Sequence, residues 1–294
     1  MVLPNRNLEG ALWMIGAGAV FSLQGVAVKE LGTRLDVFQI AFVRCFFGLL
    51  VTLPFVLRGG TELFLTGRPA LHVMRALAGV SGMFCGMYAI AHLPLADAVA
   101  ISFAKPLFAV CLAAFFLGEK VGLPRWLATF VGFLGVALIA RPGSYAFEVA
   151  HIAALLGAFF IADVVVLVKK LQGSEKNATI MAYFGIVTSL ASVGPALYVW
   201  LAPTLFEFAL LVGIAVAATL GQWMALRAYR AADASAVVPF DYLRLVFSIL
   251  FGWAIFAEVP DRWTLAGTCV LIAATAYIAF REIRMGRKPS LGGG

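Results

Sequence analysis

The chain reads as two diverged copies of one unit, each carrying five apolar stretches long enough to cross a bilayer. Ala27-Val28-Lys29-Glu30-Leu31 returns as Leu167-Val168-Lys169-Lys170-Leu171, 140 positions on. Leu95-Ala96-Asp97-Ala98 returns as Ala231-Ala232-Asp233-Ala234, 136 positions on. Each copy nears its end with an acidic turn ahead of a tryptophan, Glu119 before Trp126 and Glu258 before Trp263. The drifting offset marks divergence from a common ancestor. Because five is odd, the second copy must cross the bilayer upside down relative to the first. Inverted repeats of this kind belong to transporters and hold a substrate near the membrane midplane, between the halves.

Composition excludes a soluble reading. Hydrophobic residues make up 63% of the chain and charged residues 13%, about half the roughly 25% charged share of ordinary soluble domains. A span needs about 20 apolar residues. Ten are expected, at about 10–30, 37–57, 72–92, 97–117, 125–141, 151–169, 178–200, 205–228, 234–256 and 263–281. The expected fold is an all-α polytopic membrane protein, with ten transmembrane helices in two five-helix inverted-topology repeats around a central cavity. The repeats are drawn at 8–142 and 148–284. Residues 285–294 form a basic tail whose Gly292-Gly293-Gly294 reads as a cloning remnant. No cleavable leader is expected ahead of the first span. Cys45, Cys85, Cys111 and Cys269 fall inside apolar spans and read as small packing residues, not disulfides or metal ligands.

Basic residues set the orientation. With the N-terminus inside, fifteen Lys and Arg lie at the inner side and four (Lys29, Arg34, Arg141 and Arg262) at the outer side. That is the positive-inside bias, and it puts both termini in the cytoplasm. The net charge of +7 is then an orientation signal, and no nucleic-acid partner is expected. No P-loop is present, so transport is expected to be facilitated or driven by a gradient. No cofactor or metal is implied.

Ionisable residues deep in spans are costly and face a cavity or one another. Five stand there: Arg44, Lys105, Asp163, Asp241 and Arg244. Lys105 lies eight residues past Asp97, and Asp241 eight past Asp233. Each is therefore about 12 Å into the membrane, from opposite sides. The two occupy the same position in the two copies, 136 apart. Two readings are open. Asp241 and Arg244, at i and i+3, can pair structurally, as can Arg44 and Asp163. Alternatively, Lys105 or Arg44 receives a carboxylate while Asp163 or Asp241 receives an ammonium, which suits an amino acid. Gln24, a lone amide in the first span, needs a partner or water. Tyr88, Phe103, Trp223 and Tyr242 are the expected aromatic wall, although such residues also simply fill helix interfaces. Gly82-x-x-x-Gly86 reads as a close-packing motif, and Pro106 and Pro239 interrupt spans 4 and 9. Gly79-Val80-Ser81-Gly82 with His151 suggests an intramembrane protease. The two lie at different depths, however, and hydrogen-bond reach is about 3 Å.

Two five-span repeats, with Pro239-Phe240-Asp241-Tyr242-Leu243-Arg244-Leu245 leading to Phe256-Ala257-Glu258-Val259-Pro260-Asp261 and Leu117-Gly118-Glu119 as its counterpart, resemble the EamA branch of the drug/metabolite transporter superfamily. The resemblance spans about Leu8 to Arg284 and leans toward the branch's aromatic amino acid exporters. It implies a ten-helix basket with a central cavity in the bacterial inner membrane that exports amino acids and related metabolites. Apart from the resemblance, a monomer in the lipid bilayer is one expected form. A different small solute, such as a nucleotide sugar or an amine, is the alternative. The second copy departs from the first at Ala257-Glu258, where the first has Gly118-Glu119.

Overall fold

The computed structural model describes residues 5–59, 65–116, 118, 121–143, 147–172, 174–175, 177–232 and 234–284. Leu117, Glu119, Asp233 and the tail 285–294, all used in the sequence reading, lie outside them. The described residues form twelve helices: α1 (Asn5–Leu31), α2 (Val37–Gly59), α3 (Pro69–His92), α4 (Leu95–Ser102), α5 (Lys105–Phe116), α6 (Leu123–Ala140), α7 (Val149–Gln172), α8 (Asn177–Tyr198), α9 (Leu205–Ala231), α10 (Ala234–Asp241), α11 (Leu243–Phe256) and α12 (Arg262–Arg284). Among the described residues, eight helical stretches are long and apolar enough to cross a membrane, and Val37–Val51 and Arg262–Ile278 are shorter apolar helices.

Local chemistry sets several helix ends. Proline stands in the first turn of α3 and of α6, where its missing N–H is no loss. Thr204 and Glu207 form a reciprocal capping box at the start of α9. The expected spans 4 and 9 are each broken. Pro106 has no N–H and its ring crowds the carbonyl four residues back, at Ser102, where α4 stops. In the second copy Pro239 stands inside α10, and the break follows at Tyr242.

The halves interleave. α1 packs on α9, α3 on α7, α6 on α12 and α2 on α8, while α1 also meets α10 and α11, and α7 meets α4 and α5. Exchanging each helix for its counterpart turns the α1–α9 contact into the α7–α3 contact. It also maps α6–α12 and α2–α8 onto themselves. Glycines allow the closest crossings. A Cβ on Gly135 would stand 2.7 Å from the Gly267 carbonyl oxygen, so α6 and α12 meet backbone to backbone. A Cβ on Gly157 would come within 3.1 Å of the Gly86 nitrogen, so Gly82-x-x-x-Gly86 does serve close packing. The core centres on α4, which is buried from Leu95 through Ile101. Large apolar side chains such as Phe115, Leu190 and Leu205 cover the outside, which suits lipid rather than water.

Candidate substrate site at the helix breaks

The two breaks meet. Phe103, in the turn between α4 and α5, packs its ring 5.1 Å from that of Tyr242, at the break between α10 and α11. The Tyr242 hydroxyl is held by that of Thr275 on α12, at 2.5 Å. Around this contact Lys105 opens α5, Asp241 closes α10, and Arg244 sits in the first turn of α11. Lys105 and Arg244 border one space beside this contact. The equivalence of positions 105 and 241 has thus become a neighbourhood in space. The backbone carbonyl of Arg244 accepts the Ser22 hydroxyl at 2.9 Å and the Ser248 hydroxyl at 2.8 Å, which ties the start of α11 to α1.

These charges are neighbours without being paired. Among the described residues, the ion-pair contacts involve Lys29, Arg34, His72 and Arg141, and none involves Arg44, Lys105, Asp241 or Arg244. The Arg244 guanidinium lies 5.3 Å over the Phe21 ring, and its Nε is sealed without a hydrogen-bond partner. Arg44 donates to the Met83 thioether sulfur at 2.6 Å, and its Nε is likewise sealed without a partner. Neither of the two structural pairs that the sequence left open forms an ion-pair contact among the described residues, Asp241 with Arg244 included. Arg44 does not meet Asp163. Its helix packs on α8, α9 and α3, while Asp163 stands on α7 and senses Lys170.

A cavity of about 130 Å³ lies here, lined by Lys105, Arg244 and Ser102 together with Gly82, Gly86 and Gly157. Metabolite pockets usually span about 300–1,000 Å³, so this space admits a charged head group and must widen for a whole solute. A larger cavity, about 540 Å³, opens at the bundle end that carries Lys29. Its Arg34 is already engaged by Glu207, which makes the smaller space the better candidate.

The other expected residues scatter. Tyr88 stacks on His92 with ring centroids 4.0 Å apart and lines the larger cavity, not the central one. Gln24 is half-buried on α1 and lines neither cavity. Trp223 is 44% exposed and packs edge-on against Trp13 at 5.2 Å, away from the breaks. His151 faces the Glu148 backbone N–H at 3.1 Å and stacks on Phe147, so it is engaged at the start of α7. Among the described residues no three His, Cys, Asp or Glu gather as metal ligands. Sequence reasoning missed Met83 as the partner of Arg44 and the small wall residues Ala98, Ala154 and Ala158. Small apolar residues give no signal beyond glycine spacing.

Rim charges behave differently. Lys29 pairs with Glu258 at 2.5 Å and donates to the Leu93 carbonyl, while Glu258 also accepts the Leu95 backbone N–H at 2.8 Å. Arg34 pairs with Glu207 and Arg141 with Asp261. The Thr264 hydroxyl donates to buried Asp97 at 2.9 Å. Partial burial pushes the Asp261 carboxyl up, but the Thr264 N–H and the Arg141 guanidinium outweigh it and hold it below the usual carboxylate range. At the opposite end His72 stands 3.8 Å from Glu175, which accepts the Thr66 hydroxyl at 2.6 Å.

The EamA-like transporter family profile matches the chain twice, over residues 8–141 and 149–280. The chain is 37% identical to an S-adenosylmethionine uptake transporter of Rickettsia bellii, over 93% of this chain and 94% of that one. It is 31% identical to a riboflavin transporter of Vibrio cholerae, over 98% of each. It is 33% identical to a pseudopaline exporter of Pseudomonas aeruginosa, over 90% of this chain and 94% of that one. A solved crystal structure shares the fold, with a TM-score of 0.61 at 16% identity, over 96% of this chain and 99% of that one. The lean toward aromatic amino acid exporters is thereby corrected, since these relatives carry other substrates in their names. Two matched repeats and relatives named as transporters along nearly the whole chain make this protein a member of the EamA-like transporter family.

Proposed function

We propose that this chain is a bacterial inner-membrane transporter of small carboxylate-bearing metabolites. It has ten spans and cytoplasmic termini, and works by alternating access between inverted halves. Ten passes follow if α2 and α12 complete the eight longer apolar stretches. The Lys29 end then faces outward. The observation that carries the reading is that Lys105 and Arg244, neither in an ion-pair contact among the described residues, line one cavity at the two helix breaks, because buried cations without carboxylate partners suit a ligand that brings one. The amino acids suggested by the sequence belong to this class, as does S-adenosylmethionine, which carries an amino-acid end. Riboflavin, named for relatives, has no carboxylate and is the second reading. It would lean on the Phe103–Tyr242 ring pair and be indifferent to the charges.

Purified protein in proteoliposomes tests this with labelled amino acids, S-adenosylmethionine and riboflavin. Relatives are named for both uptake and export, so flux is followed in both directions. A carboxylate-bearing solute is expected to move, at a rate cut at least tenfold by Lys105→Ala. Riboflavin flux untouched by that change would install the second reading, and no flux of any solute would remove transport itself.

A further inference from the structure

α3 and α7 pack side by side, with Gly82 and Gly86 on one and Gly157 on the other, and these three glycines are not equivalent. A Cβ on Gly82 would press on Phe160 and Ile161 at 3.1 Å. One on Gly157 would stand 3.1 Å from the Gly86 nitrogen and 3.3 Å from the Gly82 carbonyl oxygen. Helix packing explains both. A Cβ on Gly86 would meet no neighbouring atom within 4 Å. The backbone there is ordinary α-helix, without the positive φ that favours glycine. Neither contact nor conformation calls for a missing side chain at position 86, and glycine disfavours a helix interior relative to alanine.

The open position has a direction. Gly82, Gly86, Ala89 and Ile90 are the α3 residues that line the cavity shared with Lys105 and Arg244. At about 100° per residue they cover an arc of about 100° on one helix face, and Gly86 falls inside it. A side chain at 86 would therefore enter that cavity. Gly48, Gly194 and Gly213 are equally free of neighbours, but they line neither this cavity nor the larger one. Apart from Ser102 and the two cations, the wall is glycine and apolar side chains.

We propose that Gly86 sets how large a solute the central site accepts, and that the uncharged body of the solute lies over it. This rests on the transport reading and narrows it. The charged group meets Lys105 and Arg244, and the body attached to it is broad and apolar or aromatic, because the wall around Gly86 offers it no polar partner. At about 130 Å³ the cavity is small beside the roughly 300–1,000 Å³ of metabolite pockets, so even one added side chain removes a sizeable share of the room.

Proteoliposome uptake by the full chain tests this with three broad solutes, phenylalanine, S-adenosylmethionine and riboflavin, and one compact solute, alanine. At least one broad solute is expected to move. Its KM should rise several-fold in Gly86→Ala and at least tenfold in Gly86→Leu, and any alanine uptake should suffer less. Melting temperature provides a readout of the opposite sign. Gly86→Ala should hold or raise it, whereas Gly157→Ala, which drives a methyl group against backbone, should lower it. An unchanged KM for the broad solutes in Gly86→Leu would overturn the proposal. So would a fall in rate for broad and compact solutes alike with KM fixed, since Gly86 would then serve helix movement instead of the solute. Uptake of alanine alone would overturn it too, while leaving transport intact. Flux that survives Lys105→Ala but shows the raised KM in Gly86→Leu would remove the carboxylate reading and keep this one. If no solute moves, the transport reading fails first and this one with it.

Discussion

The Lys29 end and the helix breaks draw charged residues from the same interleaved helices, yet one set is paired and the other is not. At the rim Lys29 meets Glu258, Arg34 meets Glu207 and Arg141 meets Asp261. Each of these bridges joins a residue of the first copy to one of the second. At the breaks Lys105, Asp241 and Arg244 make no ion-pair contact among the described residues, and Lys105 and Arg244 line one cavity. Rim charges fasten the halves together and leave little for a ligand to do. Central charges cost stability in the absence of a ligand and give it something to bind.

The sharpest way to break this comparison is Arg244→Met. Removing an unpaired buried charge should hold or raise the melting temperature. Transport should fall about a hundredfold, equivalent to about 2.7 kcal/mol. A large loss of stability with transport intact would mean that Arg244 is structural after all. Next is Glu258→Ala, which strands both Lys29 and the Leu95 N–H. A cost of about 2 kcal/mol is expected in denaturant or thermal unfolding. The double change Lys29→Met with Glu258→Leu should recover about half of that, since an apolar pair can replace a buried ion pair. If it recovers nothing, the Leu95 hydrogen bond, not the ion pair, holds the rim. The smallest effect belongs to Asp261→Asn, under about 1 kcal/mol for a partly exposed bridge. The Asp261 carboxyl is depressed in the folded protein, so its contribution is fully present above the ordinary carboxylate value of about 3.9. It fades as pH falls through the lower folded value. Melting curves of the two proteins should therefore differ at neutral pH and converge in acid.

Much of the frame was legible in the residues, and much of the site was not. The repeat motifs, the apolar run lengths and the two span-interrupting prolines announced a duplicated helical bundle with broken elements. The 136-residue offset between Lys105 and Asp241 pointed to the breaks themselves. The sequence left Asp241 open between pairing with Arg244 and meeting a substrate, because i, i+3 spacing permits an ion pair without closing it. Tyr88 and Trp223 were drawn toward the centre by residue type, but one faces the cavity at the rim and the other packs on Trp13. Glu258 stood out only as part of an acidic turn, and nothing near it named Lys29, 229 positions earlier.

By itself the sequence determined that this chain is a twice-repeated, lipid-embedded helical protein. Apolar run length and helix propensity act over neighbouring residues and can be read from them directly. Which charges are satisfied and which stand open was decided only in the tertiary structure. Ion pairing and hydrogen bonding depend on contacts of a few ångströms between helices far apart in the chain, and the packing of α1, α4 and α11 sets those distances.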